Sequence, residues 1–157
     1  MNKETQYIIK SFESTLSGQP WFGRAVYEIL EEVDESKANT KPNGSEHSMI
    51  ELIWHMNTWA EFVLGSLENR SADEMKAIEA NDWREIDPKK HTWKKGIEQL
   101  KETHSKIIEL LKQKPDDNFL SDIVPTRKFN FRFMLNGLVQ HNIYHLGQVA
   151  YVKKMLG

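Results

Sequence analysis

Two histidines near the C-terminal end of the chain, His141 and His145, have the spacing of a metal site. They belong to a stripe that recurs every three or four residues and is otherwise apolar, namely Met134, Leu138, His141, His145, Val149 and Val152. In a helix such a stripe faces the core. Side chains four residues apart emerge about 6 Å from each other along the helix axis, so both imidazoles can reach one ion. A shared ion would also offset the cost of burying two unpaired imidazoles.

A third histidine, His55, occupies a comparable position on another predicted helix. Its stripe runs beside the main apolar face of that helix and consists of Leu52, His55, Trp59 and Phe62. We therefore expect His55 to point across the protein toward His141 and His145. A core-facing histidine is also often a hydrogen-bonded structural residue, and spacing alone leaves that alternative open.

The remaining histidines are weaker candidates for ligands. His104 lies on an apolar stripe of the third predicted helix, which is compatible with a fourth ligand, a contact to a ligand or a buried hydrogen-bonded residue. We favour the last two. His47 and His91 stand in loop or helix-start positions, where we expect them to be solvated.

Composition excludes several kinds of chemistry. The chain has no cysteine, so any thiol reaction must use a thiol brought in by another molecule. No glutamate precedes a histidine by three residues, as a di-iron bundle requires. Asn142 stands where the zincin helix carries its general-base glutamate, so peptidase activity has no support. The net charge is −2 and the basic residues are scattered, which argues against nucleic acid as a partner.

Four long segments with helical periodicity must position the histidines. Ser48 and Glu51 form the pattern of a capping box, and Asn130 is a plausible N-cap for the last helix. Asp87 followed by Pro88 predicts the start of the third helix. The predicted helices are 3–33 with a break at 17–20, 48–67, 87–114 and 131–156; the segment 69–87 is predicted to be a loop with at most a short helical turn. With almost no strand signal, this pattern predicts an all-α four-helix bundle with a broken first helix.

The length and hydrophobicity of the chain predict its domain number and its location in the cell. The 157 residues suit one domain over residues 1–157, with 39% hydrophobic and 28% charged residues. No segment approaches the roughly 20 apolar residues of a membrane span, and the N-terminal segment lacks the apolar run of a signal peptide. We therefore expect a cytoplasmic protein without a membrane partner.

Two segments resemble the signatures of DinB/YfiT-like proteins. HSMIELIWH, from His47 to His55, followed by Trp59, resembles their second-helix signature. QHNIYHLGQV, which begins at Gln140, resembles their last-helix signature, and GQPW, which ends at Trp21, fits one branch of the family. The resemblance covers nearly the whole chain in order and spacing.

This resemblance implies an up-down-down-up four-helix bundle that often forms homodimers. It also implies a divalent metal ion, most often zinc or nickel, on His55, His141 and His145. Characterised relatives include thiol-dependent S-transferases and an isomerase, which use a low-molecular-weight thiol such as bacillithiol or mycothiol.

An ion held by three imidazoles keeps one coordination position open, as catalytic zinc sites do. Such a site can activate a bound water or hold a thiol as its thiolate. We therefore expect a thiol-dependent S-transferase that acts on small electrophiles. Gln148 is a candidate contact to a ligand or to the substrate, or equally a polar residue at a helix interface. Trp21 and Trp59 are candidate pocket walls, although aromatic residues at helical spacing more often belong to the core. A metal-dependent hydrolase of a small molecule and a non-catalytic, metal-binding or dimerising bundle remain alternatives. Imidazole ligands suit several metals, so the sequence leaves the metal open.

Overall fold

The protein is built from helices, and the computed structural model describes all 157 residues. The α-helices are α1 (Lys3–Ser17), α2 (Val26–Glu31), α3 (Met49–Leu67), α4 (Ala72–Glu79), α5 (Trp93–Lys112) and α6 (Phe131–Leu156). Two short 3-10 helices, Glu35–Lys37 and Asn118–Ser121, lie in the connections. No strand is present apart from one isolated bridge between Ile123 and Asn130. The prediction of an all-α fold is confirmed.

The two helices that carry the predicted ligands begin at side chains that cap them. At the start of α3 the Ser48 hydroxyl accepts from the backbone N–H of Glu51 at 3.4 Å, and the Glu51 carboxylate accepts from the backbone N–H of Ser48 at 2.7 Å. At the start of α6 the side chain of Asn130 accepts from the backbone N–H of Phe133 at 2.9 Å. Both caps satisfy backbone groups that have no partner inside the helix, and both confirm the predicted helix starts.

The direction of α1 follows from contacts at its N-terminal end. Arg132 at the start of α6 donates two hydrogen bonds to the Glu4 carboxylate, one of them from Nη2 at 3.0 Å. The N-terminal ends of α1 and α6 therefore lie together, and the two helices run parallel. The Asn2 side chain donates to the backbone oxygen of Lys114 at 3.1 Å, just beyond the end of α5. Helices α1 and α5 are therefore antiparallel.

Two further contacts fix the direction of α3. The Asn57 side chain in the middle of α3 donates to the backbone oxygen of Gly96 in the first turn of α5 at 2.9 Å. Glu68, just after α3, lines the same recess as Lys106 further along α5, so these helices run parallel. Leu52 near the start of α3 lines the same cleft as Val152 near the end of α6, so these two helices are antiparallel. Together with α1, the four long helices run up-down-down-up, as expected.

Each of the four long helices contributes to one continuous core of 32 buried hydrophobic residues. Phe12, Ile53, Leu100 and Leu135, one from each helix, are completely shielded from solvent. Burying a side chain of this size stabilises a protein by roughly 1.5–3 kcal/mol relative to leaving it exposed. No helix combines the length and the apolar composition that crossing a bilayer requires.

The connection from α3 to α5 differs from the sequence prediction. The segment predicted as a loop contains α4, which begins with a capping box between Ser71 and Glu74. Helix α5 starts five residues later than predicted, because Thr92 caps it at the backbone N–H of Lys95, 3.2 Å away. The backbone oxygen of Asp87 instead accepts from the N–H groups of the residues three and four positions later and closes a separate turn.

Candidate metal centre

Helices α3 and α6 bring the three predicted ligands together. His55 Nε2 lies 3.0 Å from His145 Nε2 and 3.1 Å from His141 Nε2. One nitrogen from each ring lies within 4.8 Å of the other two. Helices α3 and α6 are antiparallel neighbours, and at the level of the three histidines the stripe that contains His55 faces the stripe that contains His141 and His145.

Two of the three rings are oriented by a side chain on the nitrogen that faces away from the cluster. His55 Nδ1 lies 2.5 Å from a carboxylate oxygen of Asp82, and His145 Nδ1 lies 2.5 Å from the side-chain oxygen of Gln148. Both oxygens accept, so each Nδ1 carries the hydrogen and donates it. The Nε2 atoms of His55 and His145 are then left with lone pairs that face each other. His141 Nδ1 is buried and has no partner.

Burial keeps all three imidazoles neutral near neutral pH. It lowers the pKa of His55 below its ordinary value, against the opposing effect of the Asp82 carboxylate. Burial also lowers the pKa of His145. The pKa of His141 falls to about 3, chiefly through burial and further through the two neighbouring histidines. Neutral imidazole is the form that binds a metal.

The donor set fits a single divalent ion. Two nitrogen lone pairs that face each other at 3.0 Å repel unless a cation lies between them. Tetrahedral zinc with Zn–N bonds of 2.0–2.1 Å places its nitrogen ligands about 3.3 Å apart, close to the spacing of His55 Nε2 from its two neighbours. The cluster is therefore compatible with metal binding through His55, His141 and His145.

The part of the chain that carries the histidine cluster matches the model of a known family. The model of the DinB superfamily matches residues 22–149, a range that includes the three histidines, Asp82 and Gln148. The chain belongs to the DinB superfamily. No curated protein matches it.

In this DinB protein, Trp83 covers the outer face of the cluster. Its ring stacks on His55 at a centroid distance of 3.8 Å and an interplanar angle of 11°, and His47 stacks on it with the same values. Trp83 has a φ of 47°, in the left-handed region that few residues other than glycine adopt. The loop after α4 thus supplies both the carboxylate on His55 Nδ1 and the aromatic cover.

Sequence reasoning missed Asp82 and Trp83. The Ser71-x-x-Glu74 pattern was available to predict α4, because the same pattern predicted the start of α3. No local signal connects Asp82 with His55, which precedes it by 27 residues.

His104 lies outside the cluster and is a buried, hydrogen-bonded residue. The Asn142 side-chain nitrogen lies 3.0 Å from His104 Nε2, and the Tyr27 hydroxyl lies 3.2 Å from Nδ1. Burial lowers the pKa of His104 to about 4. Of the alternatives that the sequence left open, the structure supports the hydrogen-bonded one.

Three expectations about other residues need correction. Trp21 is fully exposed and lines no pocket at the site, because the break after α1 turns it outward. His47 and His91 are half-buried rather than solvated. His47 stacks on Trp83, and His91 Nδ1 accepts from the backbone N–H of Asp87 at 2.9 Å.

Two recesses approach the cluster from different sides. The first, which we call the Gln148 cleft, has a volume of about 500 Å³ and includes Asn43, Ser45, His47, Tyr144, Gln148 and Tyr151. The second, the His141 pocket, has a volume of about 170 Å³ and is lined by Trp59, Phe62, Val63, Phe129, Phe133, Met134, Gly137, Leu138 and His141. Trp59 thus lines a pocket at the site, as expected.

Proposed function

We propose that this protein is a divalent-metal-dependent S-transferase that joins a low-molecular-weight thiol of the bacillithiol type to a small electrophile. The observation that carries the proposal is the convergence of three neutral imidazole nitrogens in a chain without cysteine. A zinc or nickel ion held by His55, His141 and His145 would supply positive charge that stabilises a thiolate at neutral pH.

The transfer joins the two substrates in one displacement. The thiol gives its proton to solvent, its sulfur forms a bond to the electrophilic carbon, and the leaving group departs with the electron pair of the bond that breaks. The chain itself orients the site. Asp82 and Gln148 fix the rings of His55 and His145, and Trp83 shields one face of His55 from water.

The surroundings of the histidines favour transfer over hydrolysis. A metal-bound water can also lose its proton to solvent, but hydrolysis gains speed from a general base within hydrogen-bond reach of the attacking water. Asp82 is the only carboxylate in hydrogen-bond contact with the three rings, and it is already bonded to His55 Nδ1. A thiol that loses its proton to solvent before the attack needs no such base.

The test is a conjugation assay with untagged protein, added Zn²⁺ or Ni²⁺, a panel of low-molecular-weight thiols and a benzyl halide. We expect adduct formation above the uncatalysed rate, its loss in His55→Ala and its retention in His91→Ala. His91 is a matched control, because it is a half-buried histidine outside the cluster. If no thiol gives a rate above that of His55→Ala, the proposed reaction is wrong.

A further inference from the structure

The His141 pocket has the size and the lining of a binding site for one small apolar group. Resting on the proposed function, we infer that it binds the apolar group of the electrophile, a single ring or a group of similar size, while the thiol enters through the Gln148 cleft. The two reactants then reach the three histidines from different sides.

The size of the pocket sets the size of the group. Its volume of about 170 Å³ is close to the roughly 150 Å³ of an engineered apolar protein cavity that binds benzene. Seven of its nine lining residues are hydrophobic, three of them contributed by α3: Trp59, Phe62 and Val63. A monocyclic group therefore fills the space, and a fused ring system would extend beyond it through the open side of the pocket.

The charges around the pocket select against ionic groups. No charged side chain lines it, and the imidazole of His141 is its one polar side chain. The guanidinium of Arg127 lies 4.7 Å from the centre of the Phe62 ring and is paired with Glu79 at 2.6 Å. A charged substituent in the pocket would lose its hydration without gaining a partner.

The Gln148 cleft is more polar than the His141 pocket, although hydrophobic residues also line it. It is about three times larger by volume and offers polar side chains that include Ser45, Glu46 and Gln148. Gln148 also bonds to His145, at the Nδ1 atom that faces away from the other two rings, so a polar molecule in the cleft lies against the outer side of His145. A thiol with several polar groups suits this cleft and not the His141 pocket.

Two glycines of α6 allow each recess to be filled separately. Gly137 lines the His141 pocket and Gly147 lines the Gln148 cleft. A Cβ added at either position meets no atom within 4 Å, and neither glycine has a positive φ. A larger residue at either position therefore projects into open space without backbone strain and favours the helix.

The binding test uses toluene as the probe and the full-length chain, with detection by saturation-transfer NMR. We expect saturable binding to the wild type and to Gly147→Leu, and at least about tenfold weaker binding to Gly137→Leu. Gly137→Ala removes less of the pocket and should weaken binding by a smaller factor than Gly137→Leu does, because its methyl group occupies part of the space that the probe fills. Thermal melts verify that each variant is folded. Equal affinity of toluene for the wild type and Gly137→Ala, or no saturable binding to the wild type, would overturn the inference.

An activity test uses benzyl chloride and iodoacetamide, two electrophiles that differ in whether they carry a ring. The ratio of their kcat/KM values should fall at least about tenfold in Gly137→Leu, and Gly147→Leu should raise the KM of the thiol. Loss of toluene binding in Gly137→Leu without any transfer by the wild type would refute the proposed function but leave the pocket assignment standing. Transfer by the wild type with an unchanged ratio in Gly137→Leu would refute the pocket assignment alone.

Discussion

Removal of the Asp82 carboxylate tests how the surroundings of the three histidines set their affinity for a metal ion. Its carboxylate lies 2.5 Å from His55 Nδ1 and holds the hydrogen there, which leaves the Nε2 lone pair for a metal ion. Without this contact the ring can adopt the other tautomer and becomes a weaker base. Removing such a partner of a metal-binding histidine typically lowers metal affinity by about 10- to 100-fold. We therefore expect Asp82→Ala to lose roughly 1.4–2.7 kcal/mol of metal-binding free energy.

Two further variants separate hydrogen bonding from charge. In Asp82→Asn the amide oxygen can still accept from Nδ1–H, so we expect a loss smaller than in Asp82→Ala. Glu85→Ala removes a negative charge from an exposed residue of the same loop that makes no hydrogen bond to the cluster. It therefore measures the effect of net charge alone.

The assay is competition for Zn²⁺ between the purified, untagged protein and a chromophoric chelator, at fixed pH and ionic strength. Thermal melts of the metal-free variants exclude a loss of fold as the cause. If Asp82→Ala and Glu85→Ala bind Zn²⁺ with the same affinity, Asp82 does not tune the site and our account of the His55 tautomer is wrong.

Three further predictions concern Gln148, His104 and Ser48. Gln148→Ala should weaken Zn²⁺ binding less than Asp82→Ala does, because the neutral amide oxygen raises the basicity of His145 less than a carboxylate raises that of His55. The same competition assay measures both losses, and a larger loss in Gln148→Ala would contradict the prediction. Burial lowers the pKa of His104 from 6.5 to about 4, so the unfolded chain binds more protons between these values. The free energy of unfolding of the metal-free protein should therefore fall by about 2 kcal/mol between pH 7 and pH 5 through the protonation of His104. Urea unfolding should then depend more steeply on pH in the wild type than in His104→Gln, and equal slopes would refute the prediction. Ser48→Ala should cost about 1 kcal/mol in the same unfolding assay, since it removes the cap of α3, and a change near zero would contradict this.

The sequence predicted those parts of the fold that depend on local chemistry. Helix α6 and the inward direction of His141 and His145 follow from a periodic stripe and from the Asn130 cap, both of which lie within one continuous segment. The start of α3 follows from the Ser48 capping box in the same way. His55 required more, because its approach to α6 depends on how two helices pack, and there the family resemblance supported the prediction.

The parts of the site that the sequence did not predict depend on contacts between distant segments, whereas the errors at the start of α5 and at Trp21 have other causes. Asp82 and Trp83 reach His55 only because α4 returns the chain along α3, and neither residue belongs to a periodic pattern. The predicted start of α5 was wrong because Asp87 and Thr92 both have side chains that can cap a helix. The local sequence does not decide which of the two residues caps α5. Trp21 was expected at a pocket because it is aromatic, whereas the break after α1 leaves it in solvent.

The metal content of the protein decides whether the three histidines hold an ion. Untagged wild-type protein, loaded with Zn²⁺ or Ni²⁺ and then desalted, should retain about one ion per chain by elemental analysis. His91→Ala should retain the same amount, and His141→Ala should lose most of it. Equal metal content in His141→Ala and the wild type would contradict a site built from His55, His141 and His145.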